Sequence, residues 1–164
     1  MIYLREMVQG PWLQALSLVH DVEIHDPRAW AIQIQGPTSL EILDASVDGG
    51  GPDGFKYYHA RQVTMGGQPV LISRTGWTAE LGFEVYNMDP HVDGMALWSH
   101  LMAAGAPHGM EILSTYAMNP RRIEAGIMNY GTDMGWDTTP FDLGLGGFVD
   151  FDHDFVGGDA LLSA

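Results

Sequence analysis

The chain of 164 residues contains no cysteine and a single lysine, Lys56. The first absence excludes disulfides, thiol nucleophiles, iron–sulfur clusters and cysteine-ligated zinc. The second belongs to a wider shortage of positive charge: 7 Lys and Arg face 21 Asp and Glu, a formal net charge of −14. A chain this acidic cannot neutralise a row of phosphates, which excludes nucleic acid as the main partner, and an anionic membrane surface repels it. Long apolar runs are also missing, since spanning a bilayer takes about 20 residues. The stretch from Trp12 to Val19 is short and interrupted by Gln14, and Glu6 stands where a signal peptide needs positive charge. These absences point to a soluble, cytoplasmic protein. What the chain does have is apolar material, 46% hydrophobic against 17% charged residues, enough for a packed core.

Periodicity sets out the elements. The first twenty residues carry no assignable signal. Asp21 to Asp26 alternates like a short strand stopped by Pro27. Trp30 to Gln35 alternates cleanly, with Ile32 and Ile34 on one face and Gln33 and Gln35 on the other. A helix starts at Gly36-Pro37-Thr38-Ser39, with Leu40, Ile42 and Leu43 as its apolar stripe. Asp48 to Gly54 is a loop. Tyr57 to Met65 and Pro69 to Arg74 read as two strands joined by a Gly66-Gly67 hairpin turn, and Phe83 to Tyr86 as a further strand. From Val92 to Ala104, Met95, Trp98, Leu101 and Met102 recur at helical spacing up to Gly105. A short helix is expected from Pro120 to Gly126, with the proline in its first turn. The order predicts an α+β fold, an antiparallel sheet with helices packed on one face. Residues 1–20 are unassigned, 21–126 form the α+β region, and 127–164 are an extended wrapping segment.

Most chemistry-bearing patterns are absent or incomplete. Asp150, Asp152 and Asp154 alternate as in a calcium loop, but Phe155 stands where that loop needs glycine and Leu161 where it needs glutamate. A solvated acidic turn is the reading, and no metal site is expected. The histidines form no HExxH pair, no GxSxG elbow is present, and the glycines at 144, 146 and 147 do not make a GxGxxG turn. One constellation stands out, Ser73 to Tyr86 (SRTGWTAELGFEVY). There the alternation puts Phe83 and Val85 on one face of a strand, Glu84 and Tyr86 on the other.

GWTAELGFEV resembles the GYTGExGYEI-type motif of the glycine-cleavage T-protein (aminomethyltransferase) family. Further pieces match in the same order. IQIQGPTSLEIL is similar to the family's ALQGPxA segment, LWSHLMAAGAPHG to its LWxxLxxAG helix, and RRIEAGIMNYGTDM to its RLEAGxxxYGxDM segment. TTPFDLGLGGFVDFD and DFVGGDAL are similar to its xTPxExGLGxxV and DFIGREAL segments. The resemblance covers most of residues 21–164. It implies a tetrahydrofolate-dependent enzyme moving a one-carbon unit, with a small-molecule substrate and folate as partners. The family's pterin-holding glutamate corresponds to Glu84, and the aromatic residue at the start of the motif to Trp77. A carboxylate suits that task, because the pterin's pyrimidine edge offers adjacent N–H donors and the carboxylate two acceptors.

Two departures refine the expectation. Met118 falls where the aminomethyltransferases carry a folate-binding arginine, and the loop from Gly109 is longer than theirs. In both respects MNPRRIEAGIMNYGTDM looks more like the folate-dependent demethylase branch, in which a methyl group moves from a small substrate to tetrahydrofolate. The alternatives are an aminomethyltransferase of the glycine cleavage system and a non-catalytic folate-binding or regulatory protein on the same fold. A tyrosine in the corresponding long loop of related O-demethylases makes Tyr116 a candidate contact, and Arg122 is a candidate for an anionic substrate or the folate tail. The family's catalytic aspartate precedes the segments matched here, and its C-terminal barrel follows them. The resemblance therefore implies a fragment, inactive alone, with no catalytic residue assigned within it.

Overall fold

Alternation of apolar and polar residues in Ala31–Gln35 and Gly82–Asn87, with a run of apolar residues in Gln68–Ser73, builds the sheet. The computed structural model describes residues 9–24, 28–51, 54–87 and 89–163. In chain order it contains α1 (Gln9–Ser17), β1 (Ala31–Gln35), α2 (Ser39–Ser46), β2 (Ala60–Met65), β3 (Gln68–Ser73), β4 (Gly82–Asn87), α3 (Gly94–Gly105), α4 (Thr115–Glu124) and α5 (Gly158–Leu162). The strands lie in the order β1-β4-β3-β2, every neighbouring pair antiparallel. The expected α+β class with an antiparallel sheet is what the chain adopts. Two compact units divide after Leu113. The helix expected near Pro120 groups with the second unit.

In the first unit, Ile34, Phe83, Val85, Ile72 and Val70 share one sheet face and are buried against Ile42 and Leu43 of α2 and Leu97 and Leu101 of α3. The helical stripes agree with those expected at Ile42, Leu43 and Leu101 and differ at Leu40 and Met95. Leu40 and Met95 are exposed, because the faces that pack are centred on Ile42–Ser46 and Leu97–Leu101, i and i+4 pairs. Ser39 and Ser46 are buried on α2, their small side chains allowing close approach. His100 Nε2 lies 2.7 Å from the Ser46 carbonyl oxygen, so this ring nitrogen carries the proton. Asp93 caps α3 by accepting from the backbone N–H groups of Met95 and Ala96 at 3.0 and 3.1 Å.

The hairpin between β2 and β3 turns through Gly66 and Gly67, both with positive φ (55° and 76°), as a two-residue hairpin loop requires. Asp48 fixes it from the side, accepting from the Gly66 and Gly67 N–H groups at 3.1 and 2.8 Å. β2 begins at Ala60 and not at Tyr57, because Tyr58 has a left-handed backbone (φ 62°) that interrupts the alternation. The strand expected over Asp21 to Asp26 is not formed at Asp21–Ile24, and its last residues, with Pro27, lie outside the described residues.

In the second unit, α4 starts five residues before Pro120, at Thr115, so the proline sits inside the helix. Ser114 caps it, its side-chain oxygen accepting from the Ala117 N–H at 3.4 Å. Pro120 has no N–H to offer to the Tyr116 carbonyl, and the helix is correspondingly short. Beyond it the chain runs through turns held by short-range side-chain bonds. Asp142 accepts from the Thr139 N–H (2.8 Å) and hydroxyl (2.7 Å), and these bonds hold its carboxyl below the usual carboxylate range. Asp150 accepts from the Asp152 N–H at 2.9 Å and lies 3.6 Å from His153.

Candidate functional site

Antiparallel register decides which side chains meet on the sheet face turned away from α2 and α3. Gln33 stands opposite Glu84, and Glu84 opposite Ser73, giving a polar row across β1, β4 and β3. Ala31, Tyr86 and Leu71 form the adjacent row. Residues facing each other in such pairs hold their Cβ atoms about 5 Å apart, close enough for side chains to act together.

Glu84 is only 8% exposed although it carries a carboxylate. Burial of a charge demands partners, and two hydroxyls supply them. Tyr86 donates to Glu84 Oε2 at 2.8 Å, and Thr75 donates to the same oxygen. Ser73 Oγ lies 3.0 Å from Thr75 Oγ1. The Thr75 proton serves the carboxylate, so Ser73 donates to Thr75. Both donors reach Oε2, and among the described residues none reaches Oε1. The carboxylate is thus oriented by one oxygen and keeps the other for something else.

A second unused acceptor lies on the neighbouring strand. Gln33 Oε1 is buried and finds no hydrogen-bond partner among the described residues. Leaving such an atom without a donor costs about 1–3 kcal/mol. Two acceptors without donors, opposite one another on paired strands, fit a ligand whose edge is rich in N–H groups.

Gln35 explains the glycines of the motif. Its amide donates to the Thr75 carbonyl at 3.2 Å and accepts from the Thr78 hydroxyl at 2.8 Å. It occupies the space where a Cβ at Gly76 or Gly82 would go. Both glycines therefore make room for one glutamine, which ties the turn 74–81 to β1 and sets Thr75 beside Glu84.

Trp77 lies in that same turn, 37% exposed. Tyr57, in the turn before β2, is a further member of the neighbourhood. Loss of water around its phenol raises the pKa first, the bond to Tyr58 next, and the negative charge of Glu84 in smaller part.

The second unit holds the other two expected contacts. Tyr116, on α4, is 85% exposed. Arg122 is buried, and its guanidinium is committed inside the unit. Nε donates to Asn119 Oδ1 at 3.1 Å, one terminal nitrogen to the Ile127 carbonyl at 3.0 Å and to Asp133, and the other to Thr132 Oγ1 at 3.2 Å. The Asn129 backbone N–H, donating at 2.7 Å, is the first cause of the lowered pKa of Asp133, and the Arg122 bond and charge add to it. RRIEAGIMNYGTDM is thus a closed loop whose arginine and aspartate pin its two ends together.

A family model described as the GCVT N-terminal domain matches residues 5–153. The chain belongs to this family. Among curated relatives, it is 43% identical to an aminomethyltransferase of Streptomyces avermitilis over 88% of the chain and 39% of that protein. It is 36% identical to an aminomethyltransferase of Caldanaerobacter subterraneus over 92% of the chain and 41% of that protein. It is 31% identical to the dimethylsulfoniopropionate demethylase DmdA of Ruegeria pomeroyi over 97% of the chain and 44% of that protein. The chain thus spans less than half the length of these relatives. Among its described residues no helix is long and apolar enough to cross a membrane.

Within this GCVT domain, motif reading singled out Glu84, with Tyr86 on the same face, but missed Gln33 and Thr75. For Gln33 the signal was present as alternation, which places it on the Glu84 face once the strands are paired, whereas Thr75 lies in the turn after β3, outside any strand pattern. Only the order β1-β4-β3, which no local pattern encodes, puts Gln33 opposite Glu84.

Proposed function

We propose that this GCVT-family chain holds the pterin of tetrahydrofolate at Glu84, as part of an enzyme that transfers a one-carbon unit between a small substrate and the folate. The observation that carries this reading is the Glu84 carboxylate itself, buried, oriented through Oε2 by Tyr86 and Thr75, and without a donor at Oε1 among the described residues. A carboxylate so fixed is suited to pairing with adjacent N–H donors of a pyrimidine edge. When bound, tetrahydrofolate supplies the nitrogen that accepts or releases the one-carbon unit.

The chain's own residues bind and orient. Tyr86 and Thr75 lock the carboxylate rotamer, so little side-chain freedom is lost on binding. Gln35 holds the 74–81 turn that carries Thr75 and Trp77, and Trp77 offers an aromatic wall for the pterin or the substrate. Tyr116 contributes a substrate or folate contact from its exposed position. Arg122 serves indirectly, keeping the 125–133 loop in shape, since its donors are engaged within the unit.

For the donor, a methyl group on a small sulfonium compound such as dimethylsulfoniopropionate is the first reading. It is supported by Met118, by the long loop from Gly109, and by a likeness to the demethylase that runs over 97% of the chain. The second reading, an aminomethyl donor, is favoured by the higher identity, 43%, to the Streptomyces avermitilis protein. In the first case a sulfonium becomes a thioether, the methyl group moves to the folate nitrogen, and that nitrogen's proton is released.

The full-length gene product that carries this sequence decides between them. Incubation with tetrahydrofolate and dimethylsulfoniopropionate is expected to give methyltetrahydrofolate and the matching thioether. Methylene transfer from an aminomethyl donor alone would select the second reading. Tight folate binding with no transfer from either would leave a binding or regulatory protein and overturn the enzymatic reading.

A further inference from the structure

Gln33 is the one buried side-chain acceptor without a partner among the described residues, and it stands opposite the carboxylate assigned to the pterin. Among the described residues, its polar neighbours are engaged elsewhere. Its neighbour on β1, Gln35, has both ends of its amide engaged, and Glu84 Oε2 has two donors. What remains on the facing positions of β1 and β4 is two oxygens, Glu84 Oε1 and Gln33 Oε1, that receive no donor from the described residues.

The edge of a reduced pterin has one ring N–H and, next to it, an amino group with two N–H bonds. A carboxylate takes the ring N–H and one amino N–H as a bidentate pair. The second amino hydrogen is then left pointing past the carboxylate, and it needs an acceptor of its own if it is to be buried. We propose that Gln33 is that acceptor, a second pterin-holding residue whose Oε1 takes the outer N–H of the 2-amino group. The assignment rests on the reading of Glu84 as the pterin residue. The Gln33 side chain is only partly covered, and its terminal torsion is soft, so a small rotation brings Oε1 to the ligand. Its consequence is selectivity for the 2-amino group. Ligands that keep the ring but lack that group lose the Gln33 contact entirely.

The test uses the full-length gene product and two probes, tetrahydrofolate and its 2-desamino-2-methyl counterpart, with affinities read by calorimetry and unfolding temperatures read without ligand. Gln33→Met keeps the length of the side chain and removes the acceptor. It is expected to weaken tetrahydrofolate about fivefold, the worth of one neutral hydrogen bond, and to leave the 2-methyl compound unaffected. Because the removed oxygen has no partner in the free protein, the unliganded Gln33→Met and Gln33→Leu variants are expected to melt no lower than the parent. Glu84→Gln separates the two assignments. If Glu84→Gln weakens tetrahydrofolate while Gln33→Met does not, or if Gln33→Met weakens both probes equally, Gln33 is not the second acceptor and the Glu84 reading stands. If Glu84→Gln leaves tetrahydrofolate binding unchanged, both assignments fall. Lower unfolding temperatures for both Gln33 variants would mean that Oε1 has a structural partner, and would overturn the proposal.

Discussion

Gln35 and Gly82 share one volume: the amide of the glutamine on β1 fills the space that a side chain at position 82 on β4 would need. The two residues face each other in the strand register, so the glycine is dictated by its cross-strand partner. The same amide fills the space beside Gly76, and one half-buried glutamine thereby fixes both glycines of the motif around Glu84.

Gly82→Ala should therefore destabilise the fold by overpacking, about 1–3 kcal/mol, read as a lower urea midpoint with an unchanged slope. Gln35→Ala opens the space but leaves the Thr78 hydroxyl and the Thr75 carbonyl without their partner. The double variant should be more stable than the sum of the two single losses predicts, because the clash disappears with the glutamine. Strict additivity would mean that the two side chains do not compete for that volume.

The helix faces make a separate prediction. Leu101 is buried in α3 and Leu40 is exposed on α2. Leu101→Ala should cost about 2–5 kcal/mol, and Leu40→Ala should stay within about 0.5 kcal/mol of the parent. Comparable losses at the two positions in chemical denaturation would contradict the packing described.

Arg122→Ala should loosen the loop it closes, leaving Asn119, Thr132 and Asp133 without their shared donor. Hydrogen exchange should speed up across residues 119–133 and stay slow in β3 and β4. Arg122→Lys should not restore protection, since a single ammonium cannot reproduce a planar fork with several N–H groups. Faster exchange spread evenly over the chain would contradict a local role.

The pH dependence follows from Asp133. Its pKa is lowered in the fold, by the Asn129 N–H first and by Arg122 next. A carboxyl depressed on folding stabilises the native state above its unfolded pKa, and that contribution is lost as pH falls through the folded value. The parent should lose stability on acidification through and below the ordinary carboxylate range. Asp133→Asn should be less stable at neutral pH and show a flatter acid limb in thermal unfolding across that range. Parallel acid limbs would show that Asp133 does not contribute.

The strands and their facing were legible in the sequence wherever alternation was strict. Ile32 and Ile34 against Gln33 and Gln35, and Phe83 and Val85 against Glu84 and Tyr86, came directly from a period of two. Helices α2 and α3 were legible as well, with Ile42, Leu43 and Leu101 buried as expected, but α1 and α5 were not, and the facing was read only in part. Met95 and Trp98 satisfy helical spacing as well as Leu97 and Leu101 do, and tertiary packing chose the second pair. The bonds of Arg122 were not legible, because its partner Asp133 lies beyond a turn that no local pattern closes. Gln33 was invisible for a similar reason: a glutamine on a polar strand face looks solvent-facing until β4 is placed beside β1.

The central claim, that Glu84 holds the pterin, is tested most directly by tetrahydrofolate dissociation constants for the parent, Glu84→Gln and Glu80→Gln in the full-length gene product. Gln in place of Glu84 keeps the shape but turns one acceptor into a donor, setting N–H against N–H. Loss of a charge-assisted bond with a buried donor left unpaired is worth about 1.5–3 kcal/mol. Glu84→Gln should thus bind about tenfold to a hundredfold more weakly than the parent. Glu80→Gln, on the exposed turn ahead of β4, should bind like the parent. Equal dissociation constants for all three would contradict the account, leaving Glu84 a buried strand residue held by Tyr86 and Thr75 for structural reasons alone.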